Sequence, residues 1–205
     1  VGLANVALDA DGVVRRVVLH RLHNDVWHPA FGCAVAQAYQ ELPAATAVDR
    51  SPDLLINFRG GPNTFPTVPM YQVLSGEVSA EVFSNQIVLV GFTTFLEQDL
   101  HVTPFDRAGL TPGVEIQANV VATLLNDDPI RRVPTWLATG LNLAAVALTA
   151  LTFWQFKPVP ATVAVGGGVL LYLAVAFLLF AQADLWLPVV SPVGLVAMTV
   201  TGGLV

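Results

Sequence analysis

Four polar residues near the middle of the chain have types and spacing that could carry chemistry: Asp99, Thr103, Glu115 and Asn119. His101 stands between the first two and is the candidate base of this stretch. A catalytic nucleophile needs a base within hydrogen-bond reach and a third group that orients the base. Cys33, the single cysteine, lies in an apolar helical stretch, and the sequence has no Gly-x-Ser-x-Gly elbow. We therefore expect no catalysis from this chain; an enzyme that uses the Asp99–Thr103 loop is the less favoured alternative.

The four residues have two other interpretations. Glu115 and Asn119 lie one helical turn apart on one face of a predicted helix, close to the loop that carries Asp99 and Thr103. They could brace this loop through hydrogen bonds to its backbone, or they could contact a ligand. A helix N-terminus favours anions, but Glu115 already supplies negative charge there. Both interpretations remain open at this point.

Other motifs predict turns rather than metal or phosphate sites. Asp9-x-Asp-Gly12 resembles the start of a calcium loop, but the ligand pattern with its terminal Glu is absent. His20, His23 and His28 could suggest a metal site, but His20 and His23 would point to opposite faces of a strand, so we interpret the histidines as solvated or edge residues. The pair Gly60-Gly61 is followed by no Gly-Lys-Ser/Thr signature. The sequence thus predicts no metal and no cofactor.

The elements around the four residues follow a strand, loop, helix order. Ile87–Val90 is an apolar run closed by Gly91, which is typical of a strand that is buried on both faces. A polar loop follows, and Thr111-Pro112-Gly113 opens a helix with Thr111 as its cap and Pro112 at its first position. Such an order places a binding crevice beyond the carboxyl end of the strand.

The remaining polar part of the chain predicts a mixed-sheet α/β domain. A hairpin joins the runs around Asp9–Gly12, a helix covers Pro29–Leu42, and a second buried strand covers Leu54–Phe58. Tyr71–Leu74 is interpreted as a helical turn. The helix after Pro112 carries an apolar face at Val114, Ala118, Val121 and Leu125.

Charge divides the chain into two parts. Of its 205 residues, 12% are charged and 54% are hydrophobic, whereas soluble domains carry about 25% charged residues. After Arg132 the only charged residues are Lys157 and Asp184. The net charge is -6 and no basic run occurs, so nucleic acid is not an expected partner. We therefore place a domain at residues 1–132 and a membrane region at 133–205.

Three uncharged stretches in the second part are each long enough to span a bilayer, which needs about 20 residues. The predicted transmembrane helices, with membrane lipid as their partner, are residues 136–156, 159–183 and 185–205. Trp136, Trp154 and Trp186 lie near their ends, as interfacial aromatic residues do. The charge rule does not settle orientation, because Lys157 opposes the Arg131-Arg132 pair.

Residues 2–132 resemble the C-terminal half of the CHASE2 domain. The resemblance depends on the order and spacing of several pieces, which are GLAN at 2–5, DADGVVRR at 9–16, INFRG at 56–60, IVLVG at 87–91, Asp99, TP at 103–104 and PGVEIQAN at 112–119. Three membrane helices after the domain also fit that family.

The resemblance implies an extracytoplasmic sensory domain of a multi-pass receptor in the bacterial inner membrane. In such receptors an adenylate or guanylate cyclase or a histidine kinase is a common output domain, and the receptors generally work as homodimers. The resemblance carries over no catalytic residue and names no extracytoplasmic ligand. We interpret the chain as a piece of such a receptor that provides signal input and transmembrane coupling; a dimerisation platform without a ligand is the alternative.

Overall fold

The computed structural model describes residues 2–40, 53–93 and 99–203. The chain divides into two compact units, Val1–Pro129 and Ile130–Val205. This division falls within three residues of the boundary that the charge distribution predicts. Each unit is built from helices together with small two-stranded sheets.

The first unit begins with a tight turn and three short strands. Gly12 has a φ of 77°, and its N–H donates to the carbonyl of Asp9 over 2.9 Å, so the predicted turn is present. The elements that follow are β1 (Arg16–Val18), β2 (His20–His23), β3 (Val26–Pro29), α1 (Phe31–Tyr39) and β4 (Asp53–Leu55). β2 and β3 form an antiparallel hairpin, and β1 pairs with β4, also antiparallel. The predicted helix over 29–42 is thus shorter, and Leu42 lies outside the described residues.

The second half of this unit contains α2 (Met70–Leu74), a 3-10 turn at Ala80–Phe83, β5 (Leu100–Thr103), β6 (Asp106–Pro112) and α3 (Gly113–Leu125). The helical turn expected at Tyr71–Leu74 is confirmed. The expected polar loop around Thr103 is instead the antiparallel hairpin β5–β6. Pro112 ends β6 with a ψ of 145°, so the helix begins one residue later than predicted.

The strand predicted at Ile87–Val90 is not formed. These residues have no ladder partner in the described part of the chain. Their side chains alternate in exposure, with Val88 at 50% and Val90 at 73%. An apolar run becomes a strand only when neighbouring backbone groups accept and donate its hydrogen bonds. The predicted crevice at the end of that strand is therefore wrong as well.

The core of the first unit lies between α1, α3 and the strands. Its centre is formed by side chains that are almost fully buried, namely Val14, Leu19, Ile56, Ile116 and Val120. α1 approaches α3 closely at Gly32, because a Cβ on this glycine would lie 2.6 Å from a methyl carbon of Val120. The buried face of α3 includes polar Asn119 and Thr123, so its predicted apolar face was only partly correct.

The second unit contains two long apolar helices. Its elements are β7 (Arg131–Arg132), α4 (Thr135–Gln155), α5 (Pro158–Ala183), β8 (Leu185–Trp186) and α6 (Val190–Gly203). α4 has 21 residues and α5 has 26. In the apolar 18-residue stretch of each helix, only 6% of the residues are buried. Such exposure of apolar side chains differs from that of a core helix in a soluble protein. Both helices are long and apolar enough to cross a membrane.

The third predicted membrane span, residues 185–205, is wrong over residues 185–203, which the structure describes. Leu185 and Trp186 form β8, which pairs in parallel with β7. The helix starts only at Val190, after Pro188, and it has 14 residues. At 1.5 Å per residue such a helix covers about 21 Å, which is less than the roughly 30 Å of a bilayer core.

The predicted mixed sheet is also replaced. Among the residues that the structure describes, the first unit has three separate antiparallel strand pairs, and the second unit has one parallel pair with two residues in each strand. The α/β class itself holds, since helices and strands alternate along the chain.

Candidate functional site

The polar side chains of α3 form a row that faces the backbone after β4. Glu115, Asn119 and Thr123 lie four residues apart, so they occupy one face of the helix. Each of them hydrogen bonds to residues 57–64, which we call the strap. Ile56, directly before the strap, and Phe58 within it are buried in the core. Side chains of α3 thus accept the hydrogen bonds of N–H groups in the strap, which in a sheet would go to a neighbouring strand.

Glu115 holds the far end of the strap. Its carboxylate accepts the backbone N–H of Asn63 over 3.0 Å and that of Thr64 over 2.8 Å. Asn63 has a φ of 67°, a left-handed conformation that Asn tolerates better than most residues. The Thr64 hydroxyl also donates to the carbonyl of Gly61 over 2.5 Å. These contacts are charge-assisted bracing of a tight loop.

Asn119 holds the middle of the strap. Its side-chain oxygen accepts the N–H of Arg59 over 2.8 Å, and its amide nitrogen donates to the carbonyl of Glu115 over 2.9 Å. Its exposure is 1%. An amide at this depth needs both donor and acceptor partners, and Asn119 has them.

Thr123 and Asp128 hold the near end of the strap. The Thr123 hydroxyl accepts the N–H of Asn57 over 3.1 Å and lies 2.8 Å from the carbonyl of Asn119. The guanidinium of Arg59 donates to the carboxylate of Asp128 over 2.8 Å. The side-chain amide of Asn57 donates to the carbonyl of Asp128 over 3.1 Å. The strap is therefore tied both to α3 and to the chain that leaves the unit.

Thr103 is turned inward within the β5–β6 hairpin. It is 1% exposed, and its hydroxyl lies 3.3 Å from the hydroxyl of Thr111. The Thr111 hydroxyl donates to the carboxylate of Asp106 over 3.2 Å, so the proton between the two threonines comes from Thr103. Desolvation acts to raise the pKa of Asp106, but hydrogen bonds from the N–H groups of Leu110 and Ala108 outweigh it, and the pKa is lowered. Thr103 thus braces a hairpin rather than an open loop.

Asp99 is the most accessible of the four candidates. Its side chain is 52% exposed, and its carboxylate lies 2.9 Å from Nε2 of His101. Its carbonyl accepts the N–H of Gly113 over 2.9 Å. A Cβ on Gly113 would lie 2.4 Å from both carboxylate oxygens, so the carboxylate sits directly against the first residue of α3. A carboxylate and an imidazole alone are less than a catalytic set, which also needs a nucleophile.

The four candidates therefore fall into three places. Glu115 and Asn119 share the strap, Thr103 belongs to the β5–β6 hairpin, and Asp99 lies at the start of α3 with His101. Glu115, Asn119 and Thr103 form hydrogen bonds that brace neighbouring backbone or side chains. Contact of any of the four residues with a ligand stays a prediction. Sequence reasoning missed Thr123, although its spacing of four residues from Asn119 carried the signal.

Carboxylates of the Asp9–Gly12 turn bind arginines. Arg15 donates to Asp11 over 2.7 Å and to Asp9 over 3.1 Å, while Arg16 donates to Asp9 over 2.6 Å. The hydrogen bond from Arg15 lowers the pKa of Asp11 to about 2. Among the described residues no group of three or more His, Cys, Asp or Glu side chains could hold a metal ion.

Residues 1–152 match the family model of the CHASE2 domain, so the match covers the first unit and extends into α4. No curated protein matches the chain. No solved structure matches it either.

Proposed function

The chain belongs to the CHASE2 domain family of extracellular sensory domains, and we propose that it is the signal-input and transmembrane coupling module of a bacterial receptor. The supporting observation is the polar row of α3. This row ties the strap to the last helix of the sensory unit, and Asp128, which accepts a hydrogen bond from Arg59 of the strap, is one residue before the end of that unit.

Coupling follows from the order of elements along the chain. α3 ends at Leu125 and α4 begins at Thr135. The connector contains Pro129 and Pro134, which restrict the backbone and limit its slack. A stimulus that shifts α3 therefore moves the start of α4 through a short and stiff connection.

The proposed orientation places the sensory unit outside the inner membrane, the Lys157 turn in the cytoplasm and Asp184 outside. The pairing of β7 with β8 supports one part of this orientation, namely that the start of α4 and the end of α5 lie on the same side of the membrane. The charge rule alone disfavours Arg131 and Arg132 outside. Arg132, however, lies 4.8 Å from the ring centre of Trp186, and this cation–π contact favours an arginine beside an interfacial tryptophan.

The proposal includes a cytoplasmic output domain, either an adenylate or guanylate cyclase or a histidine kinase. Because Asp184 lies outside in this orientation, the proposal also requires a third membrane crossing, which α6 begins and its 14 described residues do not complete. The receptor is proposed to be a homodimer that binds an extracytoplasmic ligand. The sensory chain itself contributes no catalysis. Asp99, with its exposed carboxylate, is the candidate contact for the ligand, while Thr103, Glu115 and Asn119 brace the elements around it.

The test is a flexible Gly-Ser insertion after Pro129 in the full receptor, with stimulus-dependent output as the measurement. We expect the insertion to abolish the response while the receptor still reaches the membrane. An insertion of the same length after Gly76, an exposed turn residue with a φ of 74°, is the matched control and should keep the response. A full response in the first variant would refute the coupling.

A further inference from the structure

The hairpin β2–β3 brings two histidines to one face. Asn24 and Asp25 form its two-residue turn, with φ values of 49° and 60°. In the register, His23 pairs with Val26 and Arg21 with His28. Because paired residues and residues two apart share a face, His23 and His28 lie on the same side of the hairpin. His20 lies on the opposite side.

The two imidazoles have a separation that suits a shared metal ion. Their ring centres are 6.3 Å apart, and the ring planes are inclined by 59°. A zinc ion binds imidazole nitrogen at about 2.0–2.1 Å, so two rings on one tetrahedral ion have centres roughly 5 to 6 Å apart. The observed rings need to approach by about an ångström or less to reach that distance. Side-chain rotation at an exposed hairpin supplies such a movement.

We propose that His23 and His28 form a surface site for a divalent transition-metal ion of the zinc class, with water completing the coordination. Imidazole is a preferred ligand of Zn²⁺, Cu²⁺ and Ni²⁺ and a poor one of Mg²⁺ and Ca²⁺. His23 is exposed and His28 half-buried, so both can meet an ion from solvent. The site is bidentate, consistent with the lack of any larger cluster of ligands among the described residues.

Arg21 is the one feature of this face that opposes a cation. It stands directly across from His28 in the ladder. Its long side chain is exposed and can turn its guanidinium into solvent. A bound ion would join the two strands beside the turn and would thereby stabilise the hairpin as a cross-link does.

The test is calorimetric titration of the full chain in detergent with ZnCl₂ at neutral pH. We expect saturable binding of one ion, and a loss of at least about tenfold in affinity, the equivalent of 1.4 kcal/mol, for either His23→Gln or His28→Gln. The controls are His20→Gln, on the opposite face, and His101→Gln, the remaining histidine of the chain. Both should bind within about twofold of the unaltered chain, a difference well below 1 kcal/mol. Absence of saturable binding, or an equal loss in either control, would overturn the site.

Paramagnetic Cu²⁺ gives a local readout that does not depend on affinity. In a backbone amide spectrum of the full chain, substoichiometric Cu²⁺ should broaden the amides of residues 21–28 first. The same broadening should persist in His20→Gln and vanish in the double variant His23→Gln/His28→Gln. Broadening that is centred on any other segment, or that persists in the double variant, would contradict the assignment.

Discussion

The side-chain oxygen of Asn119 accepts the backbone N–H of Arg59 over 2.8 Å, although the two residues are 60 positions apart. This bond joins the last helix of the sensory unit to the strap. It lies where water cannot replace it, since Asn119 is 1% exposed. The buried amide of Asn119 therefore holds the strap between the contacts that Thr123 and Glu115 make with it.

Replacement of Asn119 by Leu should destabilise the first unit. The Arg59 N–H would lose its acceptor in a part-buried place, and an unsatisfied donor costs about 1–3 kcal/mol when it is fully buried, so we expect a loss of about 1 kcal/mol. The measurement is the free energy of chemical unfolding together with amide hydrogen exchange at Arg59. The control is Gln86→Leu at an exposed position, for which we expect a change within about 0.5 kcal/mol. Equal effects of the two substitutions would contradict the role of Asn119.

Gly32→Ala should destabilise the contact between α1 and α3. The added Cβ would lie 2.6 Å from a methyl carbon of Val120, and overpacking of a core typically costs about 1–3 kcal/mol. Val120→Ala removes that methyl group. The double variant should therefore lose less unfolding free energy than the two single variants lose together, by at least about 0.5 kcal/mol. Additive effects in this cycle would show that the close approach does not matter. Gly140→Ala, where a Cβ meets open space, is the control.

The Asp11–Arg15 pair should make the turn at residues 9–12 sensitive to acid. The hydrogen bond from Arg15 lowers the pKa of Asp11 to about 2 in the folded chain, whereas an aspartate of the unfolded chain has a pKa of about 3.9. Between these two pH values the unfolded chain binds more protons than the folded chain. The stabilisation is therefore fully present above pH 4 or so and is lost as the pH falls toward 2. In a carboxyl titration by NMR, Arg15→Gln should return the pKa of Asp11 toward its usual value. An unchanged pKa would contradict the assigned cause.

The proposed orientation can be read from cysteine accessibility. The chain has one cysteine, which is buried, and Cys33→Ala gives a background free of thiols. In that background Val190→Cys, at a position that is 87% exposed, should react with a membrane-impermeant maleimide in spheroplasts. Lys157→Cys should react only after permeabilisation. The opposite pattern would invert the orientation.

The sequence predicted those features that depend on local chemistry. The missing charge after Arg132 predicted a boundary within three residues of the division between the two units. Asp11-Gly12 predicted a turn, and Gly12 has the positive φ that such a turn requires. Glu115 and Asn119 were singled out because polar side chains one turn apart, beside a loop, need partners. Their actual partners, backbone N–H groups of the strap, lie 51 to 60 residues away, and no local pattern identifies them.

The failures share a cause, which is dependence on a distant partner. The run at Ile87–Val90 has the composition of a buried strand, but strand formation depends on a neighbouring strand that composition does not reveal. Leu185 and Trp186 are apolar enough for a membrane helix, yet they pair with Arg131 and Arg132 instead. Hydropathy cannot distinguish the two outcomes, because it ignores which backbone groups are within reach.

The short parallel pair of β7 and β8 has a mechanical consequence. The N–H of Arg131 donates to the carbonyl of Asp184 over 2.7 Å, so the chain just before α4 is fastened to the chain just after α5. A force applied at Ile130 is then shared by two helices instead of one. We therefore predict that α4 and α5 shift together along their axes when a signal pulls on Ile130.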